Sequence, residues 1–307
     1  MCCLFGIMDY GHKLSRKEKT KILSVLSVAC EERGTDATGI AYNSGGSLKV
    51  YKRPLPAHLL WFKVNEDANH VMGHARMATQ GSERYNGNNH PFSGQAGNTT
   101  FALAHNGVLS NDKRLRRQYD LPATKIETDS YIAVQFLEAA GEISFQSLAD
   151  MAEKLEGSFT MTVLTDDDTL YVVRGDNPFT LFHFEKLGFY IYASTEPILR
   201  SALKQLNMKL GKPIKINLDC GEILKIDAAG NMSRSQFDDS KIFLGYSHWP
   251  RYYSRPAVWE TVQDSQVSYI EDLKSVAAYY GIWPEDIDEM LADGVTPEEI
   301  EELLNGA

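Results

Sequence analysis

Cysteine is scarce in this chain: of 307 residues only Cys2, Cys3, Cys30 and Cys220 carry a thiol, and no two form a CxxC pair. The dense disulfide framework of small secreted domains is therefore excluded. Long apolar runs are also lacking. The longest near the N-terminus, Ile22 to Ala29, is far too short to span a bilayer and follows the charged stretch Ser15 to Lys21. Positive charge is in deficit, with 31 basic against 41 acidic residues and a net charge of -10. Such a field repels phosphate backbones and anionic membranes, so neither nucleic acid nor a membrane is an expected partner. No charged and then hydrophobic leader precedes the first strand-like segment, and a cytoplasmic location is the expectation. Internal repeats and low-complexity tracts are missing as well.

What is present is the composition of a soluble globular protein, 43% hydrophobic and 23% charged. Length alone allows one large domain or two ordinary ones. Residues 2–8 read as an apolar strand, and residues 17–32 place Ile22, Val25, Leu26 and Ala29 on one helical face. Hairpin signals follow. Residues 39–42 and 47–52 flank the turn Asn43-Ser44-Gly45-Gly46, and 159–164 with 170–174, 181–184 with 190–193, and 223–226 with 232–237 repeat the pattern. Residues 71–79 and 101–110 read as further strands, separated by a polar loop that contains Asn89-His90-Pro91. Helices are predicted over 129–140, 144–155 and 197–206. Strand runs and helix pairs in separate blocks predict an α+β fold of stacked antiparallel sheets with helices segregated against them, not βαβ units.

Beyond about residue 239 the texture changes. The expected division is a domain over 1–240, an aromatic linker over 241–264 with Trp249, Tyr252, Tyr253 and Trp259, and an acidic helical tail over 265–307. In the tail Thr296, Pro297 and Glu299 spell a capping box.

Cys2 stands where removal of Met1 would give it a free α-amine. A thiol is a strong nucleophile, and an α-amine with a pKa of roughly 7.7 to 8.0 can accept its proton near neutral pH. The blander reading is a small buried cysteine in an N-terminal strand. Three further segments weigh against it. GHARMATQG, residues 73–81, sets Arg76 at the end of a strand. HNG, residues 105–107, offers the Asn106 amide and the Gly107 N–H as a donor pair for an oxyanion. ETDS, residues 127–130, puts Asp129 at a helix start, where it could equally be an N-terminal capping acid.

With these motifs the chain resembles the class II glutamine amidotransferases, N-terminal-nucleophile (Ntn) hydrolases that include the glutaminase domain of glucosamine-6-phosphate synthase. MCCLFG at 1–6 is similar to the family's MCGIFG, ERGTDATGIA at 32–41 to RGYDSAGIA, and GHARMATQG to GHTRWATHG. Asn89-His90-Pro91, HNGVLSN at 105–111 and TDS at 128–130 continue in order, with a weaker match through YASTEPILRSAL at 192–203. The resemblance implies a four-layer αββα sandwich with a small helical C-terminal tail. It implies Cys2 as nucleophile and Asn106 with Gly107 as the oxyanion hole. Arg76 would pair with the glutamine α-carboxylate, Asp129 with its α-amine, Thr79 and His90 would lie near the glutamine-binding loop, and Arg33 beside the nucleophile. No cofactor and no metal are implied, and the spacing of His74, His90 and His105 fits no common zinc pattern.

Three positions depart from the family pattern: Cys3 replaces a glycine, Met77 a tryptophan and Gln80 a histidine. The expected activity is release of ammonia from glutamine through a Cys2 γ-glutamyl thioester. Too few residues follow 240 for a synthase domain, so a synthase subunit in trans is the expected partner. A free-standing γ-glutamyl amide hydrolase and a catalytically silent glutamine-binding scaffold are the alternatives.

Overall fold

The computed structural model describes residues 2–242 and, in the C-terminal part, residues 270, 273, 274, 277, 282, 284–297, 299, 300 and 303. The aromatic stretch 246–259 lies outside the described residues. The chain divides into two compact units, Met1–His248 and Trp249–Ala307.

The first unit contains thirteen described strands: β1 (Cys3–Met8), β2 (Ala37–Ser44), β3 (Ser47–Arg53), β4 (His70–Arg76), β5 (Phe92–Ala96), β6 (Thr99–Leu109), β7 (Gly157–Thr165), β8 (Leu170–Arg174), β9 (Thr180–Phe184), β10 (Phe189–Ala193), β11 (Ile214–Ile216), β12 (Glu222–Ile226) and β13 (Met232–Gln236). Its helices are α1 (Arg16–Ala29), α2 (Asp112–Gln118), α3 (Tyr131–Ala140), α4 (Phe145–Ala152) and α5 (Glu196–Leu206). Seven strands form one sheet in the order β11-β9-β10-β1-β4-β2-β3, and six form a second in the order β13-β12-β8-β7-β6-β5. All the strand pairings are antiparallel.

Alternation along the strands builds the layers, because successive side chains leave opposite faces of a sheet. In β1, Cys3, Phe5 and Ile7 pack with Ile22, Leu23 and Leu26 of α1 and with Ile198, Leu199 and Ala202 of α5. Leu4 and Met8 turn the other way and meet Ala102 and Ala104 of β6 and Val172 of β8. The far face of the second sheet, with Phe101, Leu103 and Met161, is covered by Ile132, Leu137 and Leu148 of α3 and α4. The result is the αββα sandwich that the resemblance implies, with one core between the sheets and one under each helical layer.

Local chemistry fixes the ends of these elements. Ser15 and Glu18 form a reciprocal capping box at the start of α1, Ser144 and Ser147 one at the start of α4, and α3 ends on Gly141 at φ 74. The β2–β3 hairpin turns through Gly45 and Gly46, both at positive φ (61 and 72), which favours the twist of the paired strands. In the second unit α6 (Pro284–Ala292) buries Ile287, and Leu273, Ala277 and Ile300 are also buried. Lys274 Nζ lies 2.6 Å from Asp288, and Thr296 and Glu299 cap each other as their sequence predicts.

Candidate functional site

Strand parity sets Cys2, Arg76 and Asn106 on the strand faces that line the inter-sheet space. By alternation Cys2 shares the face of Leu4, and His74 and Arg76 share the face of Met72, which points toward the second sheet. Opposite them, Asn106 shares the face of Ala102 and Ala104 on β6. β1 and β4 both pack on β6, and His74 Nε2 donates to the His105 carbonyl oxygen at 2.9 Å, bridging the two sheets one residue before Asn106.

On the first sheet, the half-buried Cys2 thiol donates to the Met77 carbonyl oxygen at 3.4 Å, and Arg33 Nε donates to the Cys2 carbonyl oxygen at 3.0 Å. Burial pushes the Cys2 thiol up from its ordinary range, while the hydrogen bond with Met77 and the charges of Arg76 and Arg33 oppose that rise. Gly34 explains how the Arg33 segment comes so near. A Cβ at Gly34 would stand 2.5 Å from the Arg76 carbonyl carbon and 2.7 Å from the Met77 nitrogen, so only a bare backbone fits. Cys3 lies on the helical side of the sheet, fully buried with its Sγ 3.5 Å from the Leu4 carbonyl oxygen. Its thiol therefore belongs to the opposite face from Cys2.

Arg76, only 2% exposed, is held by its own loop. Nη1 donates to Asn89 Oδ1 at 2.8 Å, and Nη2 to the Gln80 and Gly81 carbonyl oxygens at 2.6 and 2.9 Å. These bonds use three of its five N–H donors. Burial lowers the guanidinium from its ordinary range, and the charges of Asp36, Asp129 and Glu83 oppose that fall. Met77, Thr79 and Gln80 are half-buried in the same loop, whose Ala78 N–H donates to Asp36 at 2.6 Å. Gln80, one of the departures from the family pattern, thus holds Arg76 through its carbonyl oxygen, a contact independent of its side chain.

Asn89 in turn bonds the Glu83 carbonyl oxygen at 2.7 Å, and Lys52 donates to the carbonyl oxygens of Asn89 and Pro91. Burial lowers Lys52 to about 8, with the Arg76 charge adding to the effect. His90 is buried between the rings of His74 and Phe92, at centroid distances of 4.2 and 4.4 Å, and neither of its ring nitrogens has a hydrogen-bond partner among the described residues. Burial holds His90 neutral and lowers His74 to about 3.

On the second sheet, Asn106 is 1% exposed and its Nδ2 makes no hydrogen bond among the described residues. A buried donor left unmet costs on the order of 1–3 kcal/mol, and none of the described residues provides an acceptor for this one. Gly107 takes φ 137, and a Cβ there would collide with the Ser158 carbonyl oxygen. Asp129 accepts from the Leu109 N–H at 2.6 Å and from the Ser130 N–H at 2.8 Å. No hydrogen bond links Asp129 directly to Arg76 or Cys2 among the described residues; it reaches Arg76 through its field.

Sequence reasoning did not single out Asp36, Lys52, Asn89 or Ser130 as site residues. The first and the last two sat inside the motifs, and only the fold shows which loop groups they hold. A groove of about 650 Å³ lined by Phe184, Arg200, Leu203, Lys204 and Met208 runs along α5 on the helical side of the first sheet and contains none of the site residues. No described helix is long and apolar enough to cross a membrane.

Comparison with known proteins bears on the domain and its fold. A family described as a glutamine amidotransferase domain matches residues 74–201. The glutamine–fructose-6-phosphate aminotransferase (isomerizing) of Staphylococcus aureus is 30% identical over 279 residues, 85% of this chain and 44% of the relative. That of Staphylococcus epidermidis is 30% identical over 203 residues, 63% of this chain and 32% of the relative. The chain thus spans less than half the length of these curated relatives. Among solved structures, a glutamine phosphoribosylpyrophosphate amidotransferase from B. subtilis superposes with a TM-score of 0.60 at 21% identity, over 77% of this chain and 49% of that one. An allosteric regulatory enzyme of purine biosynthesis gives a TM-score of 0.63 at 20% identity, over 90% of this chain and 58% of that one. Residues 74–201 thus match a glutamine amidotransferase domain, and the two antiparallel sheets between helical layers are the fold that the chain shares with these solved structures.

Proposed function

We propose that this domain hydrolyses the side-chain amide of glutamine, with Cys2 as the nucleophile once Met1 is removed. The thiol proton passes to the freed α-amine, sulfur bonds to the amide carbon, and the carbonyl electrons collect on oxygen. The unpartnered Asn106 amide is the observation that carries this reading, since it supplies a buried donor on the wall facing Cys2, with the Gly107 N–H beside it. Collapse of the tetrahedral intermediate breaks the C–N bond, and the proton returned by the α-amine lets ammonia leave. Water then cleaves the γ-glutamyl thioester and regenerates the thiol.

In this reading Arg76 meets the α-carboxylate and Asp129 the α-amine of the substrate. Three Arg76 donors are engaged by the loop, so a carboxylate can claim at most two unless the loop rearranges. Thr79 and His90 shape the loop side of the pocket, and Arg33 steadies the Cys2 backbone. The ammonia serves a synthase site on a partner subunit.

The same loop contacts favour a second reading, a domain that binds glutamine or another γ-glutamyl amide without using it for synthesis. Protein shown by intact mass to begin at Cys2 should release ammonia from glutamine and take up one glutamine-analogue electrophile at that residue. Turnover that survives Cys2→Ala would sink the proposal. Ammonia transfer that depends on a co-purifying synthase would separate the first reading from a free-standing hydrolase, and glutamine binding without turnover would favour a silent scaffold.

A further inference from the structure

Ser130 stands at the N-cap of α3, yet its hydroxyl makes no capping bond to that helix. A serine at this position ordinarily satisfies a free N–H of the first turn and stabilises the helix by about 1 kcal/mol. Here the hydroxyl lies 2.7 Å from His105 Nδ1 and 3.2 Å from Asp129 Oδ1. His105 immediately precedes Asn106 on β6, and by alternation its ring leaves the opposite face of the strand, toward α3. Its Nε2 lies 3.4 Å from the Ser158 carbonyl oxygen. Asp129, next to Ser130, takes the Leu109 N–H at 2.6 Å.

We propose that Ser130 is a positioning residue for the reaction: with Asp129 it clamps the segment from His105 to Leu109 at both ends and so fixes Asn106 and Gly107 between them. This inference rests on the glutaminase reading above. Two contacts make the clamp specific to this strand segment. His74 holds the His105 carbonyl oxygen from the first sheet at 2.9 Å, so the peptide leading into Asn106 is gripped from both sides. The Ser130 N–H also bonds Asp129 at 2.8 Å, so the group assigned to the substrate ammonium and the support of the oxyanion strand move as one piece. An oxyanion donor acts by being in place before charge develops, and a shift of about 1 Å costs on the order of 100-fold in rate.

The test compares Ser130→Ala with Ser130→Thr, which keeps the hydroxyl. Ser130→Ala is expected to lower kcat for glutamine by about 10- to 100-fold while KM moves less than about 3-fold. Ser130→Thr should recover most of that loss. Equal losses in the two variants, or a change confined to KM, would overturn the clamp. Independently of turnover, amide exchange from Asn106 to Leu109 should rise by about 10-fold or more in Ser130→Ala, with residues 101–104 unchanged; an unaltered exchange pattern would overturn the clamp too. Wild-type protein beginning at Cys2 that shows no glutamine turnover, while the variant shows the exchange effect, would refute the glutaminase reading and support the clamp.

Discussion

The two sheets hold their parts of the site in opposite ways. On the second sheet, the segment containing Asn106 and Gly107 is tied by His74, Ser130 and Asp129 on three sides. On the first, the Cys2 thiol makes one hydrogen bond among the described residues, to the Met77 carbonyl oxygen, and Arg76 is attached to the loop that follows it. On the proposed mechanism, the difference matches what each part must do. A donor that stabilises developing charge works through preorganisation, whereas a nucleophile forms and breaks a bond and a substrate-covering loop opens and closes. The rigid wall and the adaptable wall face each other across one inter-sheet gap.

Mutations can break this comparison at either wall. The largest effect is expected at Cys2→Ala, which should abolish ammonia release from glutamine while leaving the thermal unfolding midpoint nearly unchanged; turnover assays and melting curves on the same sample check both. Next comes Asn106→Ala, which should reduce kcat by about 100- to 1,000-fold with little change in KM. A kcat loss below about 10-fold would mean that the rigid wall is not the oxyanion site. Arg76→Lys tests the adaptable wall. A point charge cannot reproduce the fork that grips Asn89 and two loop carbonyl oxygens, so KM should rise by about 10- to 100-fold with a smaller fall in kcat.

The smallest effect concerns stability alone and the bridge between the walls. His74 is lowered by burial from 6.5 to about 3. The unfolded chain therefore binds the extra proton between these values, so the contribution from a neutral His74 is intact above about pH 6.5 and is lost as pH falls toward 3. His74→Gln keeps a donor for the His105 carbonyl oxygen and cannot titrate. Its denaturation free energy should fall less steeply than wild type between pH 6 and about pH 4. Identical slopes would show that His74 does not carry the acid sensitivity of this bridge.

Most of the fold was legible because apolar alternation and helical spacing are strong where a face is buried. The predicted hairpins appear as β2–β3, β7–β8, β9–β10 and β12–β13, with strand ends shifted by a few residues. Three elements escaped. β5 gives no strand signal because Ser93 and Gln95 face out and Gly94 interrupts the run, as befits a strand at the edge of its sheet. α2 presents Leu115 as its only apolar residue, so no periodicity announces it. β11 is three residues long. At the site the motifs named the residues but not their partners. That Arg76 is spoken for by carbonyl oxygens four and five residues on, and that Ser130 serves a strand rather than its own helix, depends on loop geometry that spacing does not encode.

The opposite orientations of the two leading cysteines bear on processing fidelity. Both residues would offer an α-amine and a thiol if they became the first residue, so chemistry alone would not distinguish a chain trimmed before Cys2 from one trimmed before Cys3. The pleat does. Cys3 is sealed among α1 side chains such as Leu26, on the side away from Asn106, so over-trimming by one residue would yield an intact nucleophile aimed into hydrocarbon. On the glutaminase proposal, only a chain that starts at Cys2 sets its leading thiol on the side that Asn106 faces.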